Sequence, residues 1–327
     1  MANPDISVVI PTLRRSEELE ECLDALSKQT FKNFEVIIVN NKGELNYLKN
    51  KYFNISVVQQ NKEGLVSARN IGLFNAKGRI VSFIDDDVVV SESWTQEIFN
   101  TFSKRLNIGG VSGPTLIPQE LIDNRDILSF QNKIERNVFW KIIGKIYTYF
   151  VLENQPKAIG RIFKSGAFSL GSNYIESTKI ATEVDYLEAC NMSFRKDILD
   201  NIGGFSLEYK GIGDWSEPDL AFRVRKVGYR LFFNPKAIVH HRISQQGVYD
   251  QRGQDSYQRT KNFIHFYFKW IRPNTLNKLL RFNFNLLFIN LYWLYKFFKT
   301  HDFAWLLGIK GTLCGLEDRV YGFRSFK

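Results

Sequence analysis

Apolar and polar positions along the first third of the chain switch between two periods. Ile6–Ile10 is a run of β-formers, and Ser16–Gln29 then puts Leu19, Cys22, Leu23 and Leu26 on one helical face. Val36–Val39 is apolar at every position, the pattern of a strand covered by helices on both sides. Ile55–Gln59 reads as a short strand, Gly64–Ala76 as a helix closed at Gly78, and Ile80–Ile84 as the next strand. Strand, helix and strand at this spacing predict an α/β fold, a Rossmann-like sheet flanked by helices. Ligands of such sheets bind beyond the carboxyl ends of the strands. Pro11-Thr12, Asn40-Asn41 and Asp85-Asp86-Asp87 all fall at such ends.

The pattern is weaker further on. Ile127–Leu152 has helical character with lysines interrupting its apolar face. Thr182–Phe194 and Arg230–His241 read as strand or strand-edge segments, with a short helix at Lys196–Asn201 and another at Asp219–Val227 closed by Gly228. A final helical segment is broken at Pro273. Within it Phe282–Tyr295 holds 14 residues without a charge, between Arg281 and Lys296. A spanning helix needs about 20 apolar residues. The expectation is therefore a helix lying in the plane of a membrane interface, with Lys and Arg at its rim.

Charge sharpens that expectation. The net charge is +10, and Tyr257–Lys327 alone carries 12 Lys/Arg against 3 Asp/Glu. The same tail holds 19 of the 48 aromatic residues. A basic, aromatic tail on a near-neutral body suits an acidic surface, either an anionic membrane or a nucleic acid. Truncation after about Asp255 is expected to release the protein from anionic vesicles. The three cysteines, Cys22, Cys190 and Cys314, lack both pairing and metal-ligand spacing, which favours a reducing compartment. No basic and apolar leader precedes the first strand, so no signal peptide is expected.

Three consecutive carboxylates in IVSFIDDDVVV (Ile80–Val90) repel one another unless positive charge sits among them. A divalent cation resolves this, since Mg²⁺ and Mn²⁺ prefer oxygen ligands and share their shell with substrate phosphates.

Four segments then follow in order: Ser7–Asn41 (SVVIPTLRRSEELEECLDALSKQTFKNFEVIIVNN), Asn61–Asp87 (NKEGLVSARNIGLFNAKGRIVSFIDDD), Asn191–Arg230 (NMSFRKDILDNIGGFSLEYKGIGDWSEPDLAFRVRKVGYR) and Asn234–His241 (NPKAIVHH). This ordered set resembles the family 2 glycosyltransferases of the GT-A fold, over about Ser7 to His241. The resemblance implies an inverting, metal-dependent enzyme that moves a sugar from a nucleoside-diphosphate donor to a hydroxyl. It implies Asp87 as the main ligand of Mg²⁺ or Mn²⁺, with Asp85 on the ribose or a metal-bound water; Asp86 is counted with the donor side or is only solvated. A histidine at the end of the last strand reaches the metal or the diphosphate. Alternation prefers His241 and leaves His240 open. Pro11, Thr12, Asn40, Asn41, Gly64, Arg69 and Asn70 correspond to the donor pocket. The family usually has Asp where this chain has Asn40, so the base stays open among UDP, GDP and dTDP. Glu217 matches the general base, with Asp214 and Asp219 as fallbacks, and Glu188, Asn191 and Trp215 fall on the acceptor side.

The expected organisation is a catalytic domain over residues 1–250, its donor half about 1–115 and its acceptor half about 116–250, and a membrane-associating helical region over 251–327. Polymerising relatives carry a Q-x-x-R-W motif and several membrane spans. Neither occurs here, which implies transfer of a single sugar to a glycan or lipid-linked acceptor. The expected location is cytoplasmic, on the inner face of the cell membrane. Two other readings are a family member that binds nucleotide sugars without turnover and a nucleic-acid-binding protein. The second has no use for an acidic triplet at a strand end, so nucleic acid is not an expected partner.

Overall fold

A computed structural model describes residues 3–13, 16–41, 43–52, 54–61, 64–118, 138–243 and 255–324. The chain begins β1 (Ile6–Thr12), α1 (Ser16–Ser27), β2 (Phe34–Asn40), α2 (Leu48–Lys51), β3 (Ile55–Gln59), α3 (Leu65–Asn75) and β4 (Ile80–Phe83). It continues β5 (Val88–Val90), α4 (Trp94–Lys104), β6 (Ile108–Ser112), β7 (Thr115–Leu116), α5 (Val138–Phe150), β8 (Thr182–Val184), β9 (Met192–Arg195) and α6 (Lys196–Ile202). Then come α7 (Ser216–Lys226), β10 (Arg230–Phe233), β11 (Val239–His241) and α8 (Ser256–Phe266), a π-turn (Tyr267–Ile271), α9 (Leu276–Thr300) and α10 (Leu307–Arg324).

Among the described residues, eight strands form one sheet in the order β3-β2-β1-β4-β9-β6-β10-β8. The pairs β3–β2–β1–β4 are all parallel, whereas β9 runs antiparallel to both β4 and β6. Parallel strands need crossovers, and helices on both faces supply them. Side chains alternate accordingly. Val8 and Ile10 of β1 pack with Leu19 and Leu23 of α1 and Trp94 and Ile98 of α4. Val9, between them, packs on the other face with Val66 of α3, Ile198 of α6 and Leu220 of α7. A smaller sheet, β5-β11-β7, stands at the end of β4 and carries the two histidines.

Several boundaries differ from the sequence expectation. The segments Thr182–Phe194 and Arg230–His241 each divide into two short strands separated by turns. Helix α7 starts at Ser216 rather than Asp219, because Pro218 sits in the first turn, where a missing N–H leaves no bond unmade. The first part of the expected helix Ile127–Leu152 lies outside the described residues, and α5 begins at Val138.

The C-terminal segment is woven into the body. Phe263, Tyr267, Phe282 and Leu286 form a core of their own, against which Trp215 packs. Trp293 Nε1 donates to Thr260 Oγ1 (3.0 Å), and Asn285 Nδ2 donates to the Ser165 carbonyl (3.1 Å). Phe284 stacks on Phe150 of α5 at 3.9 Å. The uncharged stretch Phe282–Tyr295 therefore turns one face into protein, while Leu280, Leu287, Leu291 and Phe298 stay exposed. Removing everything after Asp255 would strip this core, so truncation cannot isolate surface binding. Among the described residues no helix is long and apolar enough to cross a membrane.

Gly113 sets the distance between the two sheets. A Cβ there would collide with the backbone carbonyl of Ala237, just before β11. Gly113→Ala is expected to destabilise the protein by about 1–3 kcal/mol. A urea midpoint unchanged from that of the parent would show that β11 can yield.

Candidate functional site

The parallel register brings three strand ends together. Thr12 of β1 is level with Asn40 of β2, and β4 flanks β1 on its other side. Thr12 Oγ1 donates to Asp86 Oδ2 at 2.6 Å, and the Asn41 N–H donates to the Thr12 carbonyl at 3.3 Å. Asp86 is thus buried and holds the floor of the site, not merely solvated. Gln60 N–H donates to the Asn40 carbonyl (2.8 Å), and its side chain donates to the Gly64 carbonyl (3.0 Å). Gly64 has φ 135°, a conformation that favours glycine, and it starts α3 at the rim. A cleft of about 1160 Å³ opens above these residues.

Pro11, Thr12, Asn41, Gln60 and Gly64 all line that cleft. Asn40 lies fully buried beneath it and donates to the Gly43 carbonyl at 2.8 Å. Among the described residues the side-chain oxygens of Asn40 and Asn41 are buried and meet no donor. Unmet acceptors of this kind are costly unless a ligand supplies the hydrogen.

A second cluster forms where β4 ends beside β11. Among the described residues one set of side chains could hold a metal ion, Asp85, Cys190 and His241, with ligand atoms within 4.8 Å of one another. Asp87 Oδ1 lies 3.2 Å from His241 Nε2, and Cys190 Sγ lies 3.7 Å from Nδ1 of the same ring. Burial pushes the His241 pKa down, but negative charge on, and hydrogen bonds to, Cys190 and Asp87 outweigh it and raise the pKa well above the ordinary value. Two carboxylates and an imidazole are a donor set that suits Mn²⁺, and the thiol adds a softer atom. His240 is on the opposite face of β11 and exposed, so of the two histidines only His241 faces the cluster.

The third element is a buried arginine. Arg69 projects from α3 with 1% of its surface exposed. It donates through Nη1 to Glu217 Oε1 in a very short ion pair, and its Nη2 lies 3.7 Å from Asp85 Oδ1. Arg69 therefore ties the acidic strand end to the first turn of α7. The loop leading into α7 is shaped by glycines, with φ 65° at Gly211 and 78° at Gly213, and by Trp215 at φ 77°. Asp255 accepts from the Ile212 N–H (2.9 Å), and Arg259 Nε pairs with Asp214 Oδ2 at 2.5 Å. The start of α8 thus holds the loop that presents Glu217.

Other expected residues hold the frame. Asn70 accepts from the Phe205 N–H (2.8 Å) and donates to the Phe205 carbonyl (2.9 Å), locking α3 to the turn after α6. Asp219 is fully buried and is bound by Arg223 (2.9 Å), Trp270 (2.8 Å) and Tyr209 (3.1 Å), which tie its carboxylate into the frame. Asn191 accepts from Trp94 Nε1 (3.0 Å) and donates to the Ala237 carbonyl (2.9 Å), which makes it a strut beneath the cleft. Glu188, Asp214 and Trp215 do line the cleft. Glu188 accepts from Ser172 Oγ at 2.6 Å.

Three residues escaped the sequence reading: Gln60, Cys190 and Arg259. Cys190 sits between Glu188 and Asn191, both of which were singled out, but cysteine spacing alone looks only for other cysteines. Arg259 arrives from the far end of the chain, and nothing local marks it.

A family model described as "Glycosyl transferase family 2" matches residues 7–203, more than half of the chain. The chain belongs to glycosyl transferase family 2. Arg69, Asp85–Asp87 and Cys190 fall inside the matched stretch, whereas Glu217 and His241 lie beyond it. Glycosyltransferase AglE of Haloferax volcanii is 24% identical over 207 residues, which is 60% of this chain and 66% of that protein. The uncharacterized glycosyltransferase YwdF of Bacillus subtilis is 24% identical over 79% of this chain and 81% of its own. The uncharacterized glycosyltransferase EpsJ of the same organism is 35% identical, over only 29% of each chain. Two of these three relatives are thus matched over two thirds of their length or less. Among solved structures, the mannosyltransferase PcManGT of Pyrobaculum calidifontis, in complex with GDP-Man and Mn²⁺, superposes with TM-score 0.52 at 14% identity, over 97% of this chain and 76% of its own. GalNAc-T7 with UDP, GalNAc and Mn²⁺ gives 0.55 at 14% identity, over 82% and 48%. The fold is GT-A, as the segment order implied.

Replacing Arg69 should reveal its role in the frame. Arg69→Met leaves Glu217 beside an apolar side chain, and breaking a buried pair by removing one partner costs roughly 3–5 kcal/mol. The double variant Arg69→Met/Glu217→Leu should recover part of that loss in urea unfolding. No recovery would mean that the two side chains are not coupled.

Proposed function

We propose that the protein is an inverting, metal-dependent glycosyltransferase that moves one sugar from a nucleoside-diphosphate sugar to a hydroxyl of an acceptor held at a membrane surface. One observation carries this reading: Arg69 links the carboxylates at the end of β4 to Glu217 across a single cleft. A donor spans such a site with its diphosphate over the acidic strand end and its anomeric carbon toward α7. The Mn²⁺ in the PcManGT and GalNAc-T7 structures supports the same use of the site here.

Asp85, Asp87 and His241 are the residues to hold the cation, with Cys190 at its edge. Bound there, Mg²⁺ or Mn²⁺ supplies positive charge to the departing diphosphate. The uncovered oxygens of Asn40 and Asn41 suit an N–H of the base, which uracil, guanine and thymine all possess. Glu217 takes the proton of the acceptor hydroxyl as its oxygen bonds to the anomeric carbon and the bond to the diphosphate breaks. Arg69 orients Glu217 through Oε1 and keeps the two acidic groups from repelling one another.

The membrane part of the reading rests on the outward side of the C-terminal helices. Leu276, Phe298 and Phe303 are exposed, and α9 also carries Lys278, Lys296 and Lys299. Lysines near an anionic bilayer contribute about 1 kcal/mol each.

Calorimetric titration of UDP, GDP and dTDP with and without Mn²⁺ tests the donor site. Metal-dependent binding of one nucleotide is expected, lost in Asp87→Asn. If no nucleotide binds with or without metal, the enzyme reading fails. Glu217→Gln should keep that binding and lower transfer by about 10²–10⁴-fold. Undiminished turnover would remove Glu217 as the base. Wild-type protein should sediment with vesicles of phosphatidylcholine and phosphatidylglycerol, and Phe298→Glu/Phe303→Glu should stay in solution. Equal sedimentation of the two would sink the membrane reading.

A further inference from the structure

The cleft is larger than a donor and a hydroxyl require. Small-molecule sites occupy roughly 300–1,000 Å³, and this one measures about 1160 Å³. Its excess lies away from the strand ends. On α9 its lining includes Asn285, Phe288, Ile289, Tyr292, Tyr295 and Lys299, flanked by Leu291 and Trp293. Steps of three and four residues put these side chains on one stripe of the helix. From Asn285 to Lys299 the stripe runs for about 21 Å at 1.5 Å per residue. The opposite wall is α5, where Trp140, Ile143 and Tyr147 recur at the same helical spacing. The two stripes meet where the Tyr147 and Phe288 rings lie 5.0 Å apart.

This channel joins the chemistry without a break. Trp215, directly before α7, packs on Phe263 at 5.2 Å. Arg259, paired with Asp214, lies over the Trp293 ring at 5.4 Å. All five of these residues line the same cleft as Glu217 and Asp87.

We infer that this channel between α5 and α9 holds the hydrocarbon chain of a lipid-linked acceptor, whose sugar or alcohol hydroxyl then lies at Glu217. The inference rests on the glycosyltransferase reading for the identity of the hydroxyl's destination, but the channel itself does not. A sugar chain would need polar partners along its length, and aliphatic and aromatic side chains predominate along this stripe. A folded protein partner would not reach into a seam two helices wide. The channel is continuous with the exposed apolar side of α9, at Leu287 and Leu291, so a chain could enter sideways from a bilayer without crossing water.

The test uses the full-length protein and a series of alkyl glucosides from butyl to dodecyl, each below its micellar concentration, titrated by intrinsic tryptophan fluorescence. Affinity should rise by roughly two- to fourfold for each added methylene, as burial of hydrocarbon requires. Leu291→Asp and Tyr295→Asp place a charge at half-exposed positions of the channel wall and should flatten the series. Leu313→Asp, exposed on α10 outside the channel, should leave it unchanged. Nucleotide titration with Mn²⁺ on the same variants should match the parent. A chain-length series that is flat in the parent, or equally steep in all variants, overturns the inference. A steep series in a protein that binds no nucleotide would uphold the channel and refute the donor site instead.

Discussion

The buried guanidinium of Arg69 organises this protein. Arg69 is almost wholly removed from solvent, and an arginine in that position is tolerable only with carboxylates at hand. Its two partners come from different parts of the molecule, Asp85 from the end of a central strand and Glu217 from the first turn of α7. The ion pair therefore fixes the separation between the acidic strand end and the carboxylate at the start of α7. Asn70, the next residue, fixes the same helix to Phe205 on the route to α7. One turn of α3 thus positions two halves of a site.

Much of the frame was legible in the sequence because it follows from pattern. Leu19, Cys22, Leu23 and Leu26 do form one buried face, and the fully apolar Val36–Val39 lies in the parallel part of the sheet. The acidic triplet, the arginine and the glutamate could be located from segment order, and the structure gathers them around one cleft. What could not be read are decisions made by tertiary packing. Whether an aspartate near a helix start faces solvent or a knot of Arg223, Tyr209 and Trp270 depends on residues far along the chain. The choice between His240 and His241 depends on which side of a three-residue strand faces the larger sheet. Cys190 gained its neighbours the same way.

The C-terminal helices show a related limit. An uncharged aromatic stretch bounded by lysine and arginine satisfies the pattern of a membrane-surface helix, and also that of a helix packed on protein. Here the same 25-residue helix is partitioned lengthwise. Phe282 and Trp293 face the body, Leu287 and Phe298 face outward, and a third stripe borders the cleft. Composition cannot distinguish these faces, since all three are rich in apolar residues. The partition also explains why Asp255 and Arg259, nominally part of the tail, anchor the loop in front of Glu217.

The pairing of Arg69 with Glu217 spans 148 positions in sequence. Contacts of such long range are slow to form, because the entropy of closing the loop must be met before the contact rewards it. A chain growing from its N-terminus completes the parallel strands and the acidic floor long before α7 emerges, and α8 must follow to pin the Gly211–Trp215 loop. Until then Arg69 is a buried-to-be charge without its strongest partner. Nascent or prematurely ended chains would thus carry Arg69 and the acidic strand end without Glu217, and such intermediates are those that expose unfinished surface to aggregation.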